Sequence, residues 1–207
     1  LWTTTVFAVA VFRSAFLIFL VQPMVGKRLL PWFGGGPGVW SLCLMFYQCS
    51  LFVGYAYAHG LITWVRPGLQ WILHGLVVIL AFALLPVLPG EASMPSPLDD
   101  PSDAILGTLM ANVALPFMAL AATGPLLQAW FSRRFPSRSP YPLYAVSNVG
   151  SLAALVMFPS LIEPAWPLAK TGELWSLAFA VAGACVLACG AISRTNGEGQ
   201  GCLLYTS

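Results

Sequence analysis

Long uncharged tracts alternate with short polar segments along the chain. Apart from Arg13, residues of the types Asp, Glu, Lys and Arg are absent from six tracts, 1–26, 29–65, 67–90, 104–132, 139–162 and 174–193. Each tract can cross about 30 Å of hydrocarbon as an α-helix, whereas a strand of a membrane barrel would alternate in polarity over about 10 residues. The pattern therefore predicts six spans, at roughly 3–23, 39–64, 69–89, 104–127, 143–162 and 173–193.

Residues that favour turns lie where these spans would end. Proline and glycine crowd residues 31–38, 136–142 and 164–167, and both residue types disfavour helix interiors. Gln22 and Pro23 are placed at the end of the first span. Two further prolines fall inside spans and predict local kinks, Pro116 and Pro159. The expected fold class is all-α, a polytopic membrane helical bundle of about six helices.

The composition supports a membrane protein. Hydrophobic residues make up 58% of the 207 residues and charged residues only 8%, against about 25% charged in soluble domains. The net charge of +2 is too small for a nucleic-acid-binding surface. We therefore expect the lipid bilayer, and no nucleic acid, as a partner.

The basic residues at the ends of the spans predict the orientation. Five of them would share one side of the membrane with both termini: Arg66, Arg133, Arg134, Arg138 and Arg194. Three would lie on the other side: Lys27, Arg28 and Lys170. Because cytoplasmic loops are enriched in Lys and Arg, we expect a bacterial inner-membrane protein with both termini in the cytoplasm.

The sequence at both ends of the chain indicates truncation. Leu1 begins inside apolar sequence without the basic segment of a signal peptide, so we expect a preceding segment. Residues 195–201 form the start of a polar linker. Residues 202–207 resemble one reading frame of a transposon end used to prepare sequencing libraries, and we interpret them as an artefact. A soluble domain is therefore expected downstream of the linker.

Polar side chains inside the spans are the candidates for a functional site. Arg13 either binds an anion or a substrate headgroup, or extends to the membrane surface. The uncharged candidates either join helices through hydrogen bonds or contact a ligand. They are Gln22, Gln48, Asn112, Ser147 and Asn148.

No catalytic, cofactor-binding or metal-ligating residue is predicted. The glycines at 34–36 lack the Lys-Ser/Thr pair of a phosphate loop and are interpreted as a hinge. His59 and His74 have no carboxylate or cysteine at the spacing of metal ligands. Small residues four positions apart predict close helix packing, for example at Gly54/Ala58 and Gly150/Ala154.

Two stretches of sequence go beyond composition. The first contains FLVQPMVGK at 19–27, LPWFGG at 30–35 and GYAYAH at 54–59. The second contains LPF at 115–117, GPLLQAWF at 124–131 and PLYAVSNVGS at 142–151. Together they resemble the membrane half of bacterial spermidine synthase-like proteins, in which transporter-like helices are fused to a synthase. The motif positions of most interest are Pro23, Lys27, Pro125, Gln128 and Tyr144.

The resemblance implies a Rossmann-like aminopropyltransferase domain beyond the linker, with decarboxylated S-adenosylmethionine as co-substrate. None of its catalytic residues has a counterpart here, so we do not expect the chain to be an enzyme by itself. We expect the helices to anchor that domain or to exchange substrate with it. The alternatives are a secondary transporter or half-transporter for a small solute, and a non-catalytic scaffold. A dicationic polyamine would require an intramembrane carboxylate, which the spans lack.

An inverted repeat of three helices plus three is a further hypothesis. Pro23, Trp32-Phe33 and Trp40 are arranged similarly to a later set, Pro125, Trp130-Phe131 and Tyr144. The match requires a gap of about one helical turn. A three-helix unit that is repeated once is inverted in the membrane, as in many transporters.

Overall fold

The computed structural model describes residues 2–91, 94–96 and 100–194, where it is helical and contains no strand. The predicted linker start and artefact at 195–207 lie outside the described residues. Within the described residues, eight α-helices follow one another along the chain: α1 Trp2–Phe33, α2 Pro37–Trp64, α3 Pro67–Ala83, α4 Pro101–Asn112, α5 Ala114–Arg134, α6 Tyr141–Met157, α7 Glu163–Ala165 and α8 Leu168–Arg194. A π-helical segment, Phe158–Ile162, joins α6 to α7.

Five helical stretches are long and apolar enough to cross a membrane, namely α1, α2, α5, the continuous stretch Tyr141–Ala165, and α8. The apolar helix α3 has 17 residues and is therefore about 26 Å long. Large hydrophobic side chains on the outside of the bundle, such as Leu76, Ile79 and Leu177, are more than half exposed, as contact with lipid requires. These helices confirm the predicted fold class, a polytopic helical bundle of about six helices.

Helix α1 continues past Pro23, where the sequence pattern placed the end of the first span. A proline removes one backbone donor, but a membrane helix tolerates that loss where neighbouring groups compensate. The helix ends instead at Gly34, which adopts a left-handed φ of 75°. The N–H of Gly34 donates to the carbonyl of Leu30 at 2.9 Å, the geometry of a glycine-terminated helix.

The predicted fourth span is divided between two helices. Helix α4 ends at Asn112 and α5 begins at Ala114, with Val113 between them. Pro116 lies in the first turn of α5, where its missing N–H breaks no intrahelical bond. Asp100 caps α4 by accepting a hydrogen bond from the Ser102 N–H at 2.8 Å, which lowers the pKa of this carboxyl group.

Helices α1 and α5 lie side by side in the middle of the bundle. Helices α3 and α8 pack behind them, α6 packs along α1, and α2 packs along α5. A Cβ atom on Gly54 of α2 would lie 3.0 Å from the Met118 carbonyl oxygen of α5, and one on Gly150 of α6 would lie 2.7 Å from the Phe12 carbonyl oxygen of α1. Exchanging α1, α2 and α3 for α5, α6 and α8 reproduces this pairing, as the repeat hypothesis requires; the repeat itself stays a prediction.

Polar contacts mark the two ends of the bundle. At the arginine end, which contains Arg66, Arg133 and Arg138, Arg138 Nη1 donates to Thr4 Oγ1 at 3.1 Å and Arg133 Nη1 donates to Gln70 Oε1 at 2.8 Å. At the opposite end, called the Lys27 end, Lys27 Nζ lies 2.7 Å from Glu163 Oε1, and Arg28 Nε donates to the Pro89 carbonyl at 2.9 Å. The two groups of basic residues therefore occupy opposite ends.

This arrangement predicts which positions share a side of the membrane. In a variant whose cysteines are replaced by serine, Arg66→Cys and Arg138→Cys should react with a membrane-impermeant maleimide from one side, and Glu91→Cys from the other. Labelling of right-side-out and inverted vesicles provides the measurement. Reaction of Arg66→Cys and Arg138→Cys from opposite sides would contradict the layout.

Candidate functional site

A cavity of about 690 Å³ lies between α1, α2, α5 and α6. Its apolar walls are mainly Leu, Ile, Ala and Phe side chains. Its polar lining comprises Ser14, Gln22, Tyr47, Gln48, Tyr55, Gln128, Tyr144, Ser147, Asn148 and Ser151. No Asp, Glu, Lys, Arg or His is among the described residues that line it. This central cavity is therefore polar and uncharged.

The central cavity collects most of the residues that the sequence singled out. They arrive from four helices and are Gln22, Gln48, Pro125, Gln128, Tyr144, Ser147 and Asn148. Residues of one helix that lie three or four positions apart share a face, and Tyr144, Ser147, Asn148 and Ser151 of α6 follow that spacing. Four spans that looked unrelated in the sequence thus contribute to one surface.

The other candidates lie elsewhere. Arg13 is half-buried and does not line the central cavity, because the lining residues Ser14, Ala15, Ile18 and Gln22 share one face of α1 and Arg13 lies on the opposite face. Asn112 Nδ2 donates to the Thr108 carbonyl within α4 at 2.9 Å. Pro23 and Lys27 line a smaller cavity of about 400 Å³ at the Lys27 end, next to the ion pair that Lys27 forms with Glu163.

The central cavity is open along one side. Helices α2 and α6 flank it and make no extensive contact with each other. Tyr55 of α2 and Tyr144 of α6 line it and are 50% and 51% exposed. The gap between these two helices therefore connects the polar lining to the surroundings of the bundle.

Two serine hydroxyl groups in the lining have their hydrogens engaged. Ser14 Oγ donates to the Ala10 carbonyl at 2.9 Å, and Ser151 Oγ donates to the Ser147 carbonyl at 3.1 Å. A hydroxyl that donates within its own helix retains only acceptor capacity for other partners. These two serines therefore offer oxygen lone pairs alone.

Tyr47 presents a polar group that lacks a partner. Its side chain is 4% exposed and its ring lies 5.3 Å from that of Phe117. The buried hydroxyl makes no hydrogen bond with any described residue. Since buried polar atoms are almost always hydrogen-bonded in proteins, this hydroxyl is available to a molecule that enters the cavity, which Tyr47 lines.

A second polar cluster, which the sequence reading missed, lies at the arginine end. Gln70 is fully buried. Its Oε1 accepts hydrogen bonds from Trp130 Nε1 at 3.0 Å and Arg133 Nη1 at 2.8 Å, while its Nε2 donates to the carbonyls of Leu61 at 3.0 Å and Val65 at 2.8 Å. One side chain thus joins the end of α2, the start of α3 and the end of α5. The sequence feature that could have revealed this cluster is the single glutamine, Gln70, inside an apolar predicted span.

No protein-family model matches the chain, and no curated protein or solved structure shows significant similarity to it. The resemblance to spermidine synthase-like proteins rests on the sequence motifs and stays a prediction. What the central cavity can bind is decided by its own chemistry.

Proposed function

We propose that this chain is a solute-handling membrane domain, which binds a small polar solute in the central cavity. The supporting observation is the uncharged polar lining that four helices contribute to one cavity. An anchor or a scaffold needs only an apolar outer surface. Polar groups inside the bilayer are costly and are typically retained for a function.

The resemblance carried by the sequence motifs supports a larger protein. We propose that it is the membrane half of a spermidine synthase-like fusion in the bacterial inner membrane, with the arginine end in the cytoplasm. The excess of basic residues at that end supports this orientation. An aminopropyltransferase-like domain that uses decarboxylated S-adenosylmethionine would lie on the same side, where the helices would anchor it.

A secondary transporter without a synthase domain is the second candidate. It is favoured by the pairing of α6 with α1 and of α2 with α5. In inverted-repeat transporters, rocking of one repeat against the other exposes a central site to each side of the membrane in turn. Both candidates require the same cavity to bind solute.

Removing cavity amides is expected to weaken solute binding. Gln48→Leu and Asn148→Leu should each raise the apparent dissociation constant by about tenfold, because an unmatched polar group of the solute then faces a leucine. The measurement is a thermal-shift titration of the purified chain with four solutes, each built on a four-carbon chain: n-butylammonium, putrescine, butyramide and butyrate.

Asn112→Leu is the matched control, because it makes the same type of change in an amide outside the central cavity. It should leave binding unchanged. If none of the four solutes binds, or if the three variants behave alike, the proposed function fails.

A further inference from the structure

We infer that the central cavity binds a small organic cation with a single protonated amino group. This inference rests on the proposed function and names the chemical class of the solute. Four features of the cavity carry it: three side-chain oxygens that remain available as acceptors, two backbone carbonyls freed by proline, three tyrosines, and the lack of a carboxylate among the described lining residues.

Three polar side chains of the lining already donate hydrogen bonds within their own helices and keep oxygen acceptors available. Ser14 and Ser151 spend their hydrogens on carbonyls of their own helix, so both present only oxygen lone pairs. Gln22 Nε2 is directed to the Ile18 carbonyl at 3.4 Å, which leaves its Oε1 as an acceptor. An ammonium group has three donors and no acceptor, and it therefore matches such a lining.

Two prolines add acceptors from the backbone. Pro125 in α5 has no N–H to donate to the carbonyl of Ala121, and Pro23 in α1 has none for the carbonyl of Phe19. Both Ala121 and Phe19 line the central cavity. Carbonyls released from helical hydrogen bonding coordinate cations in other membrane proteins.

Tyrosines supply the remaining contacts. Tyr47, Tyr55 and Tyr144 line the cavity from α2 and α6, and aromatic faces attract ammonium groups. The unpartnered Tyr47 hydroxyl can accept a hydrogen bond from the ammonium group. A cation that enters this cavity thus meets oxygen dipoles and aromatic rings in place of its hydration shell.

The charge of the solute is limited to one. Oxygen dipoles and aromatic rings compensate a single charge, but a second charge in the same membrane cavity would need a carboxylate. The described acidic residue at the adjacent smaller cavity, Glu163, is already paired with Lys27 at 2.7 Å. An anion would find no basic partner among the described lining residues, since Arg13 lies outside the cavity.

The solute panel tests this selectivity directly. n-Butylammonium is expected to bind about tenfold more tightly than putrescine, butyramide or butyrate. If one of the other three binds as tightly or more tightly, and Gln48→Leu weakens that binding about tenfold, the inference is overturned while the proposed function stands. If no member of the panel binds, both fail.

Pro125→Ala tests the role of the freed carbonyl. The alanine N–H restores a helical hydrogen bond to Ala121 and should weaken n-butylammonium binding several-fold, while the better helix former leaves the fold intact. Pro31→Ala, in α1 and outside the central cavity, is the matched control. Equal binding by the unmodified chain and the Pro125→Ala variant would overturn this part of the inference.

Asn148→Asp tests the limit on charge. The substitution changes the charge of the lining while hardly changing its shape. The carboxylate should raise the affinity for putrescine about tenfold relative to n-butylammonium. An unchanged ratio of the two affinities would show that the charge of the lining does not select the solute, and it would overturn the inference.

Discussion

Replacing Gln70 with leucine is expected to lower the free energy of unfolding by about 2–4 kcal/mol. The change removes four hydrogen bonds and leaves the Trp130 N–H without its acceptor. It also deprives the Arg133 guanidinium of its contact at 2.8 Å. Thermal unfolding of the purified chain in detergent should show a midpoint lower by about 5–15 °C.

The control for this prediction is Gln48→Leu, the same change at an amide that faces the central cavity and makes no hydrogen bond with a described side chain. Without solute, its midpoint should stay close to that of the unmodified chain. Removing both partners, in Gln70→Leu with Arg133→Met, should be less destabilising than the sum of the two single changes. Equal midpoints for Gln70→Leu and Gln48→Leu would contradict the role assigned to Gln70.

Gly150→Ala is expected to lower the free energy of unfolding by about 1–3 kcal/mol through overpacking. The new Cβ atom would lie 2.7 Å from the Phe12 carbonyl oxygen, which belongs to the backbone of α1. Helix α1 cannot easily retreat, because α5 and α8 also pack against it. The midpoint of thermal unfolding and the apparent affinity for n-butylammonium should therefore both fall, since α1 and α6 form adjacent walls of the central cavity.

Gly107→Ala in α4 is the matched control for Gly150→Ala. No atom lies within 4 Å of the position that its Cβ would take. Because alanine favours a helix more than glycine does, by up to about 1 kcal/mol, this variant should be as stable as the unmodified chain or more stable. If both alanine variants shift the midpoint equally, close contact at Gly150 is not the cause.

The helices were predictable because their signal is local. A charge-free tract of about 20 residues must form a helix in lipid, and the helical stretches fall where such tracts lie. The residues at which the helices end were harder to predict from the sequence. The continuation of α1 to Phe33 runs through Pro23, a residue that favours a helix end, and no charge marks the break at Val113.

The candidate site was predictable by residue type and not by geometry. Uncharged polar residues inside spans were the predicted candidates, and most of them line the central cavity; their functional role stays a prediction. Whether a residue faces the cavity depends on the rotation of its helix about the helix axis. The rotation of α1 turns Ser14 towards the cavity and Arg13 away from it. Gln70 was missed because its partners Trp130 and Arg133 are 60 and 63 residues away, a pairing that one sequence does not reveal.

The shortness of α3 sets a preference for membrane thickness. Its 17 residues cover about 26 Å, a few ångströms less than the hydrocarbon layer of a typical bilayer, whereas α1 with 32 residues extends well beyond it. Lipid beside α3 must compress, or the bundle must tilt, and each ångström of hydrophobic mismatch carries a small free-energy penalty. Phospholipids with shorter acyl tails should therefore surround this edge of the protein with the least distortion.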